Sequence, residues 1–241
     1  MTTNETVKMT NKERFIALVK SINRKGFKKD AFLEALEDSD FYTAPASIFD
    51  YYSYNRAGGL LDHSLAVYDY LSEILNTMPL PFVYSEDTIK IVSLFHDVSK
   101  INYFEPSVKN IKVYSETGTK YDELGRFEWK SERSYKVKDN VFRIGTSGET
   151  SVAILHNYLP LTMEETCAIA NHEGLYGNPK LSWTQIIRTY PLTQFIESAH
   201  SISTLVLEPN ADAIEYYISL DKDKEDAKSL ENEDTEETND E

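Results

Sequence analysis

The hydrophobic pattern of this chain predicts a mainly α-helical fold with one inserted β-hairpin or small sheet. Three observations support this. Most apolar residues recur at the three-to-four spacing of a helix face, helix start and stop signals bracket those stretches, and between residues 102 and 144 the period changes to two.

The elements follow in order. Residues 11–23 place Phe15, Ile16, Leu18, Val19 and Ile22 on one helical stripe, and residues 30–36 repeat it with Phe32, Leu33 and Leu36. A turn-rich stretch, residues 41–47, and a tyrosine cluster (Tyr51, Tyr52, Tyr54) lead to Gly58-Gly59, which frees the backbone before Leu60-Leu61-Asp62-His63. His63 therefore opens a helix, which Pro79 and Pro81 end. Ser85 caps the next one, with Glu86 and Asp87 in its first turn and His96 and Asp97 in its last. Ile111, Val113, Phe127, Trp129, Tyr135, Val137, Val141 and Phe142 then alternate with polar residues, punctuated by Gly118 and Gly125, which reads as the β insertion. Its simplest role is a lid strapped to the helices. Helices resume after Gly148. Thr162 and Glu165 make a capping box for a helix ending near His172, another runs from Trp183 toward Tyr190, and after Pro191 a long apolar helix carries His200.

At 241 residues with 41% hydrophobic content, one globular body is expected. Residues 1–40 form N-terminal helices packed on a body spanning residues 41–220. Residues 221–241 hold eleven acidic and three basic side chains, so about half of the chain's net charge of −15 sits in a tail expected to be disordered. An acidic body disfavours broad capture of nucleic-acid backbone and suits a small anionic substrate, met by a local basic pocket around Arg56, Lys100, Lys109 and Lys112. One cysteine, Cys167, in an apolar run fits a reducing cytoplasm, and neither a secretory leader nor a membrane-spanning apolar run is legible. Nothing fixes an oligomeric state.

Chemistry concentrates in Leu94-Phe95-His96-Asp97-Val98-Ser99-Lys100. A neutral imidazole beside a carboxylate can bind a divalent ion, and Lys100 can meet an anionic substrate. Asp97 and Lys100 are thus the candidate catalytic residues. His63, His156, His172 and His200 are available to complete a metal shell.

His63 followed by His96-Asp97, with Gly58-Gly59-Leu60-Leu61-Asp62-His63-Ser64, Thr43-Ala44-Pro45-Ala46-Ser47 and Leu161-Thr162-Met163-Glu164-Glu165-Thr166, resembles the HD superfamily of metal-dependent phosphohydrolases. These segments also look like those of phage-type HD proteins and the HD domain of bacterial 3′→5′ exoribonucleases. The likeness covers roughly residues 41–207 and implies an HD helical bundle. It also implies a divalent metal, about one ion per chain, held by His63, His96, Asp97 and His200, with His172 facing a weaker second site.

The chain departs from the HD pattern at several positions. Ser99 replaces a glycine, Ser147 stands where relatives carry a histidine ligand of the second metal, Tyr52 stands where they often carry a histidine, and His200 replaces a late aspartate. Three nitrogens and one carboxylate favour Mn, Zn, Ni, Co or Fe over Mg, which prefers oxygen. The implied activity is hydrolysis of a nucleotide or related phosphate ester. A catalytically reduced pseudo-enzyme that binds a nucleotide or protein is the alternative, and a 3′→5′ exonuclease or phosphodiesterase a further one.

Overall fold

The computed structural model describes residues 9–49, 54–174 and 183–206. Among them the chain is mostly helical, with eight α-helices and one three-stranded antiparallel sheet. The acidic tail, Tyr51 and Tyr52 lie outside the described residues.

Two short helices, α1 (Asn11–Ser21) and α2 (Lys29–Glu37), open the fold. Thr10 caps α1 through a reciprocal box with Glu13. Their buried rings clamp Phe95: Phe32 lies 4.8 Å from it and Phe15 6.5 Å, centroid to centroid. Phe95 immediately precedes His96, so the N-terminal helices fix the point where the His-Asp pair leaves its helix.

Helix α3 (Gly59–Thr77) starts where the glycine pair predicts. Gly58 adopts φ +76°, and a Cβ on Gly59 would stand 2.0 Å from the Tyr54 carbonyl oxygen. No side chain caps this helix. Instead the amides of Gly58 and Leu60 donate to the carbonyls of Thr43 and Ala44, so residues 41–47 satisfy the helix start. Helix α4 (Glu86–Phe95), capped by Ser85, packs against α3. It ends one residue before His96, and a 3₁₀ turn (Val98–Lys100) follows Asp97. His96 and Asp97 therefore sit in the break after the helix, where its regular hydrogen bonding has stopped, and not in its last turn.

The insertion is a long two-stranded ribbon with a short third strand: β1 (Phe104–Tyr114), β2 (Lys120–Asp122) and β3 (Gly125–Val137), in the order β1-β3-β2. Val141 and Phe142, which alternate in sequence as strand residues do, fall in irregular chain after β3. Among the described residues the strands pair chiefly with one another, and at the base of the ribbon Phe104 is buried.

Helices α5 (Ser147–Leu155) and α6 (Met163–Ala170) both open with capping boxes, Thr146 with Glu149 and Thr162 with Glu165. They approach closely: a Cβ on Gly148 would stand 2.2 Å from the Ile169 carbonyl oxygen. Helices α7 (Trp183–Thr189) and α8 (Leu192–Ser201) complete the body, and α8 passes into a π-helical turn (Ile202–Val206). One apolar cluster runs from Phe15 to Ala199 and unites the N-terminal helices with α3, α4, α5, α6 and α8. No described helix is long and apolar enough to cross a membrane.

Candidate metal centre

Four segments deliver side chains to one buried point: α3 supplies His63, the α4 terminus His96 and Asp97, the turn after α6 His172, and the end of α8 His200. Every sequence-predicted ligand is therefore gathered into one cluster. His156 is not: it ends α5 and is exposed.

Asp97 is the hub. Its Oδ2 lies 2.7 Å from Lys100 Nζ, 3.3 Å from His96 Nε2 and 3.4 Å from His63 Nε2, while Oδ1 lies 3.5 Å from His172 Nε2. The His63 and His96 Nε2 atoms are 3.0 Å apart, and the His200 ring lies 5.0 Å from those of His63 and His172.

The backbone fixes two of the tautomers. His96 Nδ1 is 2.7 Å from the Ser93 carbonyl and His172 Nδ1 2.8 Å from that of Ile169. A carbonyl only accepts, so each Nδ1 carries the proton, and in the neutral ring Nε2 presents a lone pair to the interior. Ser203 Oγ, in the π-turn, stands 3.3 Å from His63 Nδ1. His172 Nε2 is buried with no hydrogen-bond partner.

Burial pushes His63 down to about 3 and lowers His96, against the opposing pull of Asp97. Burial, joined by the three neighbouring imidazoles, holds His200 well below the ordinary histidine value. Burial would raise Asp97, but Lys100 and the surrounding imidazoles outweigh it and keep the carboxylate ionised. His172 departs the other way: against burial, Asp97 and Glu173 hold it above its usual value.

His96 thus turns an Nε2 lone pair toward the Asp97 carboxylate in a buried pocket, where a bound cation would satisfy both acceptors. The donors fit a metal. Separations of 3.0 to 3.4 Å among His63, His96 and Asp97 match the edges of a coordination polyhedron with bonds of about 2.1 Å. His63, His96, Asp97 and His200 form one group that could hold an ion, and Asp97, His172 and Glu173 form another. Glu173, absent from the expected ligands, adjoins His172 in a His-Glu pair that the sequence does display.

Ser147 opens α5 at the same hub, 3.3 Å from Asp97 Oδ1 and 2.9 Å from Ser99 Oγ. Ser99 in turn donates its backbone N–H to Ser151 Oγ. Ser99 and Ser147 thus form a hydrogen-bonded bridge between the Asp97 turn and α5.

The cluster opens into a cavity of about 360 Å³ bordered by Lys100, Arg143, Phe49, Tyr54, Tyr103 and Phe104. Only Lys100 of the expected basic pocket lines it. Arg56 pairs instead with Asp62, and Lys109 and Lys112 lie on β1. Arg143, which no periodic signal marks, supplies the second cation. It bonds the Tyr103 hydroxyl, and its guanidinium carbon sits 5.0 Å from that ring's centroid. The cavity lining therefore combines two cations and the Glu173 carboxylate with several aromatic rings.

Comparison of the chain with protein-family models, curated proteins and solved structures gives no match.

Proposed function

We propose that the chain is a metal-dependent phosphohydrolase of the HD type, acting on a small phosphate-bearing substrate such as a nucleotide. The observation that carries this reading is the convergence of four imidazoles on the buried Asp97 carboxylate beside a cavity lined by Lys100 and Arg143. His63, His96, Asp97 and His200 would hold the ion, with Mn, Zn, Ni, Co or Fe favoured over Mg by the nitrogen-rich donor set. When bound, the ion supplies Lewis acidity that activates water and neutralises phosphoryl charge.

The chain's own residues do the rest. Lys100, fixed on the Asp97 carboxylate, presents an ammonium to the phosphoryl oxygens, and Arg143 offers a second donor across the cavity. Asp97, held ionised, accepts a hydrogen bond from the attacking water and orients it. Phe49, Tyr54 and Tyr103 exclude bulk water and offer ring faces to a planar base. The one-per-chain stoichiometry follows from Ser147 standing where the resembled family has a second-metal histidine.

That same serine favours a second reading, a reduced HD-type protein that binds a nucleotide or protein without turning it over. Ser147 Oγ already donates to Asp97 Oδ1 and is itself bonded to Ser99 Oγ.

Elemental mass spectrometry of protein purified without chelator, alongside Asp97→Ala and a screen of nucleoside phosphates, separates the readings. About one ion per chain, lost with turnover in Asp97→Ala, supports the hydrolase. Metal without turnover favours the binding protein. No metal, even after Mn or Zn is supplied, overturns the ligand assignment.

A further inference from the structure

The β ribbon departs from the usual arrangement of a sheet, in which the apolar face is the covered one. Residues opposite one another in the β1–β3 register share a side, so Val108 and Arg133, Lys112 and Trp129, and Tyr114 and Phe127 stand together. Along β1 this side is mostly exposed beyond Phe104, while Glu105, Ser107, Lys109 and Ile111 on the other side are half-buried; along β3 the same side holds exposed Trp129, Ser131 and Arg133 between half-buried Tyr135 and Phe127, which is buried. Val108 is 67% exposed, Trp129 50% and Tyr114 42%. Apolar surface laid out on the open side of a sheet marks an interaction site.

Cations are interleaved with these rings. Lys112 Nζ lies 4.6 Å from the Phe127 centroid and 5.8 Å from that of Trp129, and Lys120 Nζ lies 6.0 Å from Trp129. Lys112 is also paired with Asp122 at 2.5 Å, whereas Lys120 and Arg133 form no ion pair among the described residues. Residues 104–138 carry eight basic and six acidic side chains, a net charge of +2 in a chain of −15, so the remainder carries −17. The ribbon is a basic element on an acidic protein.

The same side begins at Phe104 and Val137, which both line the cavity beside the histidine cluster. From there to Tyr114 the strand rises about 33 Å.

We infer that this face of the ribbon binds a single-stranded polynucleotide, its bases stacked on Trp129 and Tyr114 and its phosphates met by Lys112, Lys120 and Arg133, along a track that reaches the cavity mouth. Exposed rings with cations between them suit a single strand, because unstacked bases offer π-faces of any sequence and every linkage carries a charge. A duplex keeps its bases stacked on each other and would leave the rings unused. The inference does not rest on the hydrolase reading, since stacking and charge pairing need neither metal nor turnover.

The test is fluorescence anisotropy of a labelled oligothymidylate of about fifteen nucleotides with the full chain in chelator at low salt. Saturable binding that weakens steadily with salt is expected. Trp129→Ala should weaken it about ten-fold or more with an unchanged melting temperature, Trp129→Phe should restore most of it, and Lys120→Ala combined with Arg133→Ala should flatten the salt dependence. Binding by the parent in chelator, with no metal at the histidine cluster, keeps this outcome separate from that of the metal centre. Absence of binding, indifference to Trp129→Ala in a folded variant, or tighter binding of a blunt duplex of the same length would overturn the proposal.

Discussion

Lys100 Nζ and Asp97 Oδ2 are 2.7 Å apart, and the same carboxylate oxygen lies within 3.4 Å of the Nε2 atoms of His63 and His96. One oxygen thus joins the cation expected to meet substrate to the nitrogens expected to meet metal. Lys100→Ala should separate the two roles. Metal content should persist, because the imidazoles remain, while kcat/KM for a phosphate ester falls about 10²-fold, the cost of losing one donor to a developing oxyanion. Metal loss in this variant, read by elemental analysis, would assign Lys100 to holding Asp97 instead.

His200 brings a nitrogen where an aspartate is expected from the HD resemblance. His200→Asp adds negative charge and a hard oxygen to the donor set, so bound metal should be retained and preference should move toward Mn or Mg. Competition between Zn and Mn, followed by elemental analysis, checks this; an unchanged preference removes His200 from the shell.

Ser147 and Glu173 flank the second donor group. Ser147→His places an imidazole beside Asp97, His172 and Glu173, and stoichiometry should rise from about one ion toward two. Adding Glu173→Gln should return it toward one. Equal metal content in all three proteins would show that the geometry at Ser147 does not admit a ligand.

Far from the metal cluster, Arg24 makes a two-pronged ion pair with Glu165, at 2.5 and 2.9 Å, with Thr88 and the Thr162 amide completing the carboxylate's bonds. Burial would raise Glu165, yet Arg24, the Thr162 amide and Thr88 together hold it below its usual 4.5. A depressed carboxylate stabilises the fold above the unfolded-state value and loses that contribution as pH falls through the folded-state value. Arg24→Met should therefore destabilise the protein by about 3 to 5 kcal/mol near neutrality, because a buried charge is left without its partner. The deficit relative to the parent should shrink as pH falls, because the variant's Glu165, buried without Arg24, takes up its proton before the parent's does. Urea unfolding of both proteins across that range measures it, and a pH-independent difference would deny the charge a role.

Gly59→Ala tests how α3 is seated. Its Cβ would meet the Tyr54 carbonyl oxygen at 2.0 Å, so either the segment or the helix start must shift, at a cost of about 1 to 3 kcal/mol or more. His63 lies one turn further on, so metal affinity should fall together with thermal stability. A stable variant with full metal content would show that residues 54–58 yield freely.

Much of this was legible in the sequence because it is encoded locally. The capping boxes at Thr162–Glu165 and the Ser85 cap specify helix starts through neighbours three residues apart, and the glycine pair marks the start of α3 by backbone freedom alone. His63, His96, Asp97, His172 and His200 could be listed, but their meeting depends on tertiary packing, above all on Phe15 and Phe32 holding Phe95. Arg143 was not legible, since it lies in irregular chain with no period to flag it. Glu173 was visible beside His172, yet its closeness to Asp97 comes from the turn after α6. The π-turn that brings Ser203 to His63 leaves no mark in the apolar spacing of α8. The ribbon's alternation marks strands as far as Val137 but runs on to Val141 and Phe142, which form none, and alternation does not say which side faces solvent.

The ribbon leaves and re-enters the body at one place. Phe104 and Val137 are direct partners across the register, and the Lys138 amide donates to the Tyr103 carbonyl just outside them. Partnered backbones of this kind stand only about 4.5 to 5.5 Å apart, a gap that a two-residue turn closes. Residues 105–136 thus form a cassette: a deletion joined by Asn-Gly should leave the helical body folded with its histidines in place. Over generations the same geometry lets the ribbon lengthen, shorten or be exchanged by insertion and deletion without any other backbone segment having to move.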